Sequence, residues 1–280
     1  MKLKLIIATI GLLGLIGCTK EDKGILPSDL ANPTFESRTG AIFIKWELPT
    51  DQSVEYVKVK YHDPLIDKEV VRLSSCDTIL LPETRQKYGD YVVTLVPCST
   101  TDTEGSPLQI TTQSGKATAS YIPTQLTLKA DDLSTNAQEA SEGAISNLLD
   151  GNTGTFFHSS WSVSIPGPHW IQVNLPVTIE GYYKFYYAPR SNSSNKPVDF
   201  DLLGSMDGAD WFLIKNFKKD ADNLPVTSKD AYTSPILPTT KPFKYVRYSV
   251  NATNTGSVYW TMSELKFYSI KVIDPEAVEK

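Results

Sequence analysis

The chain has 280 residues, of which 40% are hydrophobic and 21% charged, a balance typical of globular proteins. Its formal net charge is −5 at pH 7, and the sequence contains no run of basic residues. Because phosphate affinity comes from clustered Lys and Arg, these features argue against nucleic acid as a partner. The length suggests about two domains.

Residues 1–17 have the pattern of a secretory signal peptide. Lys2 and Lys4 lie at its start, and the apolar stretch LIIATIGLLGLI that follows is too short to cross a bilayer as a stable helix. The stretch ends in LIGC, which resembles the lipobox of bacterial lipoproteins and implies that Cys18 is lipidated. The alternative is a chance cysteine after an ordinary signal peptide. Cleavage would remove both lysines and change the net charge from −5 to −7.

The segment TKEDK after Cys18 is similar to the tag of Bacteroidetes lipoproteins that are displayed on the outer surface. This resemblance implies a protein that is anchored to the outer membrane by its lipid and faces the cell exterior. Residues 18–30 would then form the lipidated cysteine and a short polar tether.

From residue 31 to residue 119, short segments with strand periodicity follow one another. They include AIFIKWEL, EYVKVKYHD, DTILL and DYVVTLVPC, and turns separate them. Several short strands over about 90 residues predict a β-sandwich. The early tryptophan, the YVKVKY strand and the tyrosine of KYGDYVV resemble a fibronectin type III domain.

Cys76 and Cys98 remain after Cys18 is assigned to lipidation. An exported protein folds in an oxidising setting, where these two residues could form a disulfide at one end of the sandwich. Two separate buried thiols are an equal alternative.

The small, polar segment SGKATASYIPTQ places a domain boundary near residue 120. Strand patterns resume after it, for example in HWIQVNL, where Ile171, Val173 and Leu175 alternate with polar residues. Asp207-Gly208 lies at the tip of an expected hairpin turn. The sequence therefore predicts an all-β protein that consists of two β-sandwiches.

Six ordered segments of the second half resemble the discoidin family, also called the coagulation factor V/VIII type C domain. They are DGNTGTFFHSSW, PHWIQVNL, YYAPRSNSSN, SMDGADW, KYVRY and SELKFY. The resemblance implies a jelly-roll, galactose-binding-like sandwich over residues 121–272, with residues 273–280 as a tail. Many bacterial members are carbohydrate-binding modules. Asn174 and Pro176 depart from the family pattern, where an aspartate and a glycine are usual. The sequence therefore does not determine the turn after the HWIQVNL strand.

The loop that begins at Asp150 offers hard oxygen donors that suit calcium rather than zinc. Gly151 and Gly154 allow the backbone to curl tightly enough to point these donors inward. The alternative is an Asx-turn, in which Asp150 only bonds its own backbone. With the residues that the resemblance adds, the expected structural calcium site contains Asn147, Asp150, Asn152, Thr155, Ser263 and Glu264.

The resemblance also places a ligand site on loops at one end of the second sandwich. An arginine and an amide can each bond two adjacent sugar hydroxyls, while an aromatic ring covers the apolar face of a pyranose. Arg190 is the strongest candidate, whereas His158 could instead only hold its own loop. Tyr259 and Trp260 could supply the ring, whereas Trp161 is more typical of core or loop packing than of a platform for a ligand. The expected ligand-binding residues are His158, Trp161, Arg190, Asn195, Tyr259 and Trp260.

The sequence does not predict an enzyme. It has no nucleophile motif and no glycine-rich phosphate loop, and its three histidines lack metal-ligand spacing. Scattered carboxylates on a sandwich could still form a hydrolase pair, because their separation cannot be read from sequence. We therefore expect non-catalytic binding of a glycan or polysaccharide at the bacterial surface, with outer-membrane glycan-uptake proteins as further partners. The competing hypothesis is a protein-binding adhesin or a structural component of an outer-membrane complex.

Overall fold

A computed structural model describes residues 24–192, 194–226 and 230–278. The expected signal peptide and the lipidation site, Cys18, lie outside these residues. In the described part of the chain, no helix is long and apolar enough to span a bilayer. The described residues divide into two compact units, one formed by residues 24–118 with 275–278 and the other by Ala119–Asp274.

The first unit contains two antiparallel sheets with the strand orders β1-β2-β5 and β4-β3-β6-β7. Ile42, Ile44 and Trp46 alternate inward on β2 and are at most 3% exposed, as the period of two predicts. Its strands are β1 (Ala31–Arg38), β2 (Ala41–Glu47), β3 (Tyr56–Asp63), β4 (Lys68–Ser74), β5 (Thr78–Pro82), β6 (Asp90–Cys98) and β7 (Leu108–Gln113), with a 3-10 helix at Gln86–Tyr88.

The end of the described chain belongs to this first unit. The Glu276 carboxylate accepts hydrogen bonds from the backbone N–H groups of Gln86, Lys87 and Ala117, at 2.7 to 3.1 Å. This contact fixes residues 275–278 of the expected tail to the loop that precedes β6. The fibronectin type III resemblance stays a prediction.

The predicted disulfide is wrong, because Cys76 and Cys98 are both free thiols. Ser74 faces inward at the end of β4, and its hydroxyl donates to the carbonyl of Thr78 at 2.7 Å. The turn that follows directs the Cys76 side chain to solvent, whereas Cys98 is fully buried. The alternative of two buried thiols is therefore also wrong for Cys76.

The second unit is a jelly-roll sandwich, which confirms the all-β prediction. Its two large sheets have the orders β14-β13-β17-β11-β9 and β15-β12-β19-β8, with β16 also paired to β12, and β10 pairs with β18 in a third. The strands are β8 (Ser120–Gln125), β9 (Leu133–Thr135), β10 (Phe157–His158), β11 (His169–Ile179), β12 (Tyr182–Ala188), β13 (Pro197–Ser205), β14 (Phe212–Lys218), β15 (Tyr232–Thr233), β16 (Leu237–Pro238), β17 (Phe243–Thr253), β18 (Thr261–Met262) and β19 (Glu264–Ile273). The helices are α1 (Lys219–Asp222) and the 3-10 turns Ala130–Asp132 and Ile145–Leu149.

Aromatic side chains fill the space between these sheets. The Phe200 ring stacks on Phe217 with centroids 4.9 Å apart and on Tyr248 at 4.0 Å. At the unusual Asn174 and Pro176, β11 continues to Ile179, and its pairing with β17 shifts register between Asn174 and Ile179. The well-packed sheets provide a rigid support for the loops at their ends.

Two strand pairings bring distant loops to one end of the second unit. In β10–β18, His158 lies opposite Thr261, and in β12–β19, Ala188 lies opposite Glu264. The loops that precede Phe157, follow Ala188 and precede Thr261 therefore converge there. These loops, with β10, the segment after it and the start of β19, carry the residues that the sequence analysis selected.

Candidate functional site

An aromatic cluster surrounds His158 at this end of the second unit. The His158 ring lies 6.5 Å from Trp161, 6.0 Å from Tyr259 and 6.3 Å from Phe156 between centroids. His158 itself is 5% exposed, whereas Trp161 is 52% exposed. Trp161 is therefore the most exposed ring of this cluster.

Hydrogen bonds determine which groups stand beside the Trp161 ring. His158 Nδ1 lies 2.7 Å from the carbonyl oxygen of Ser159, which only accepts, so Nδ1 donates and Nε2 is the other polar atom of the ring. That Nε2 is 4.0 Å from Oε1 of Glu142, which also accepts a bond from Trp161 Nε1 at 3.2 Å. A polar corner, formed by Glu142 and His158 Nε2, thus lies at the edge of an exposed indole.

Glu142 was missed by the sequence analysis. It lies in the polar segment EASEG, which has no spacing or motif that separates one acidic residue from another. Only the folded chain, in which this segment packs against the loop after β10, shows that Glu142 meets His158 and Trp161.

Arg190 lies on the loop after β12, and its guanidinium carbon is 3.5 Å from the centre of the Phe156 ring. This cation–π contact fixes the plane of the guanidinium beside the aromatic cluster. Beneath the loop, the fully buried Lys196 ammonium donates to the carbonyl of Arg190. Burial, with the nearby charge of Arg190, lowers the pKa of Lys196 to about 8. Both Lys196 and Phe156 therefore hold the loop that carries Arg190 in place.

Asn195 ends the same loop in a left-handed conformation, with a φ of 60°. Its Oδ1 accepts hydrogen bonds from the hydroxyls of Thr255, at 2.7 Å, and Ser257, at 2.9 Å. The side-chain oxygen is thus engaged in holding the loop before β18, which leaves the amide nitrogen as its group for a ligand.

The predicted role of Trp260 in ligand contact is wrong. Its side chain is 0% exposed, and its ring lies 5.3 Å from Phe157 and 5.5 Å from Tyr248. Its Nε1 donates to the carbonyl of His169 at 3.2 Å. Because the indole fills the core, it has no face left for a ligand, and Trp161 and the half-buried Tyr259 are the accessible rings.

The loop after the 3-10 helix Ile145–Leu149 closes on itself through Asp150. The carboxylate accepts bonds from the Asn152 N–H at 2.8 Å and from the Thr155 hydroxyl at 2.6 Å. Gly154 N–H donates to Asn152 Oδ1 at 3.0 Å, and Gly151 has a φ of 73°, which favours glycine. The Asx-turn that the sequence left open is therefore formed.

Glu264 gives a separate reason to place a cation at this loop. Its carboxylate is 4% exposed, and its Oε1 is buried without a hydrogen-bond partner among the described residues. Burial raises the pKa of Glu264, and the Asp150 carboxylate beside it adds to the rise. The Thr155 hydroxyl lowers the pKa of Asp150. Two adjacent carboxylates with an unpaired buried oxygen fit a divalent cation that takes oxygen ligands.

The other expected calcium ligands lie next to these two acids in the chain. Asn147 is in the 3-10 helix before Asp150, and Ser263 precedes Glu264 with its hydroxyl buried and without a partner in the described part of the protein. Across residues 24–192, 194–226 and 230–278, no three His, Cys, Asp or Glu side chains group together as metal ligands. A cation would therefore depend on amide, hydroxyl and carbonyl oxygens besides the two carboxylates.

Comparisons with known proteins support the assignment of this part of the chain. Residues 132–265 match the F5/8 type C domain, which confirms the discoidin resemblance there. A sialidase of Micromonospora viridifaciens is 30% identical over 200 residues, which is 65% of this chain, but the chain spans only 28% of that protein.

Two solved structures from Clostridium perfringens are also similar. CpGH89CBM32-5, in complex with GalNAc-β-1,3-galactose, has a TM-score of 0.42 and 18% identity, and the match covers 51% of this chain and 99% of that one. The family 32 CBM of NanJ, in complex with galactose, has a TM-score of 0.40 and 16% identity, and the match covers 52% of this chain and 100% of that one.

Proposed function

We propose that the F5/8 type C domain at residues 132–265 binds carbohydrate and does not cleave it. The observation that carries the proposal is the half-exposed Trp161 ring, with the Glu142 carboxylate at its edge. A pyranose has an apolar C–H face and a rim of hydroxyls. An indole that packs on the face, beside polar groups that bond the rim, complements both.

The polar groups around the ring divide into acceptors and donors. Glu142 accepts hydrogen bonds from sugar hydroxyls, with His158 Nε2 as a further polar group beside it, and the Arg190 guanidinium donates to hydroxyl oxygens from the side of Phe156. Bonds to the charged groups are stronger than neutral ones and depend on direction, so they select a hydroxyl pattern. The amide nitrogen of Asn195 is a further donor.

We also propose a structural calcium ion at Asp150 and Glu264, with Asn152, Thr155 and the carbonyls of Asn147 and Ser263 as further ligands. A bound cation neutralises the two facing carboxylates and ties the loop after the 3-10 helix to the start of β19. Its support is the unpaired, buried Oε1 of Glu264. Such an ion acts on stability, because a ligand that binds only the folded state stabilises it.

For its location, we propose a lipid anchor at Cys18 in the outer membrane, with the domain exposed to the cell exterior. The support is the sequence pattern of residues 1–30. On this proposal the tether and the first unit act as spacers, and glycan-uptake proteins of the same membrane are candidate partners.

The match to a sialidase makes catalysis the first alternative to test. A glycan array of plant, host and microbial glycans, with an assay of sialoside hydrolysis on the same protein, separates the two activities. We expect binding that Arg190→Ala weakens and no released sialic acid. A protein partner found by crosslinking, whose capture ignores free sugars and Arg190→Ala, would favour the adhesin instead.

A further inference from the structure

The Glu139 carboxylate is buried against the loop that carries Trp161, and it is not among the residues proposed above to contact the ligand. Glu139 is 3% exposed. Its Oε2 accepts the backbone N–H groups of Trp161 and Ser162, both at 3.0 Å. Its Oε1 accepts the hydroxyl of Ser162 at 2.8 Å, and the hydroxyl and N–H of Ser141 at 2.9 and 3.2 Å. Five donors thus converge on one carboxylate.

These donors explain why the group is ionised without a cation beside it. The N–H of Ser162 holds the pKa of Glu139 well below its usual range, and the other donors add to this effect. A carboxylate with both oxygens saturated has no acceptor left for a ligand. Glu139 therefore acts on the site through the residues that it holds.

The segment that carries Glu139, residues 137–143, is paired along its length with His158 at the end of β10 and with the loop that follows, and we call it the strap. Its Ala137 carbonyl accepts from Ser160 N–H at 2.9 Å, and its Gly143 carbonyl accepts from His158 N–H at 3.0 Å. Gly143 has a φ of 67°, and a Cβ there would lie 2.5 Å from the His158 nitrogen. Only glycine allows this close approach.

The strap also carries Glu142, which accepts the Trp161 Nε1–H. One acid of the strap thus fixes the backbone of Trp161, and another acid three residues later meets its ring. A sugar that packs on the Trp161 ring and bonds Glu142 depends on the distance between that ring and the Glu142 carboxylate. This distance depends in turn on how firmly Glu139 holds the loop that carries Trp161.

We propose that Glu139 is a positioning residue, which fixes the Trp161 ring relative to Glu142 and so sets the affinity of the site for carbohydrate. The inference rests on the proposed function. Binding groups must be held to within about 0.5 Å to act together. Weakening the hydrogen bonds of Glu139 therefore leaves Trp161 and Glu142 present but poorly placed.

The test compares Glu139→Gln with a matched control, Asp207→Asn. The amide has one acceptor oxygen, so at least two of the five donors lose their partner. Asp207 also accepts two backbone N–H groups and a serine hydroxyl, but it does so in the hairpin between β13 and β14. All three bonds reach Asp207 Oδ1, which the asparagine oxygen can replace, so this control removes a carboxylate charge away from the strap. Glu139→Gln should lower the melting temperature of the full chain, but stability alone does not distinguish a positioning role.

Two measurements do distinguish it. The first is the indole N–H resonance of Trp161, assigned by its loss in Trp161→Ala. We expect Glu139→Gln to shift or broaden it and Asp207→Asn to leave it unchanged. The second is calorimetry with the tightest-binding oligosaccharide of the glycan array. Glu139→Gln should weaken binding roughly tenfold in the native background but less than about twofold in Trp161→Ala.

Equal weakening in both backgrounds, or an unchanged Trp161 resonance, would overturn the proposal. If Glu139→Gln does not fold, Ser162→Ala removes one of the five donors and should produce the same changes at smaller size. If no glycan on the array is bound, the proposed function fails, whereas the resonance still reports whether Glu139 controls Trp161.

Discussion

Replacing Trp161 by alanine should weaken carbohydrate binding in a protein that still folds. A tryptophan side chain has a surface of about 250 Å², and 52% of it is exposed here. A sugar that covers half of the exposed part buries about 65 Å², which corresponds to about 1.6 kcal/mol at about 25 cal/mol per Å². The dissociation constant should therefore rise roughly 15-fold.

Calorimetry with the oligosaccharide selected on the array measures this change, and a thermal melt measures stability. The other half of the ring is buried, about 120 Å², so the free energy of unfolding should fall by up to about 3 kcal/mol, and the melt shows that the variant is still folded at the temperature of the calorimetry. Val163→Ala is the control, since that side chain is 60% exposed two residues away and should leave affinity within about twofold. Unchanged affinity in a folded Trp161→Ala protein would refute the role given to this ring.

Other predictions concern stability and the thiols. In the presence of a chelator, Glu264→Gln should raise the melting temperature at neutral pH, because it removes a carboxylate that has a buried, unpaired oxygen and lies beside the Asp150 carboxylate. This advantage should grow as pH rises from 4.5, the ordinary value, through the raised pKa of Glu264, since ionisation then costs more in the folded state. Millimolar calcium should stabilise the native protein more than this variant, and equal shifts in scanning fluorimetry would contradict the calcium site. Trp260→Ala should lower the free energy of unfolding by about 3–5 kcal/mol, and a loss below about 1 kcal/mol in urea denaturation would contradict its core position. Alkylation of the unreduced, folded protein should modify Cys76 and spare Cys98, whereas a Cys76–Cys98 crosslinked peptide in mass spectrometry would show a bridge.

The long strands could be predicted from sequence because their pattern is local. Ile171, Val173 and Leu175 alternate with polar residues, and all three are buried on β11. The two-residue strands β10 and β18 could not be predicted, because such short segments contain no period. They form only because His158 meets Thr261, a partner about 100 residues away in the chain.

The site could be predicted only in part, because loop residues show their orientation only after packing. Tyr259 and Trp260 are adjacent aromatic residues, and the sequence does not say which one faces the core. The contacts of Trp260 with Phe157 and Tyr248 show that Trp260 is the residue that faces the core. Glu139 and Glu142 resemble any acids in a polar segment, and they gain a role only when the strap pairs with the loop after β10.

The most direct test of carbohydrate binding by this loop cluster is a titration that follows the indole N–H resonances. The chain has five tryptophans, so each can report separately. With an oligosaccharide captured on the array, the Trp161 resonance should shift and saturate, whereas those of the buried Trp46 and Trp260 should stay in place. Saturable shifts confined to Trp170 or Trp211, or no shift at any tryptophan, would contradict the assignment of the binding site to these loops.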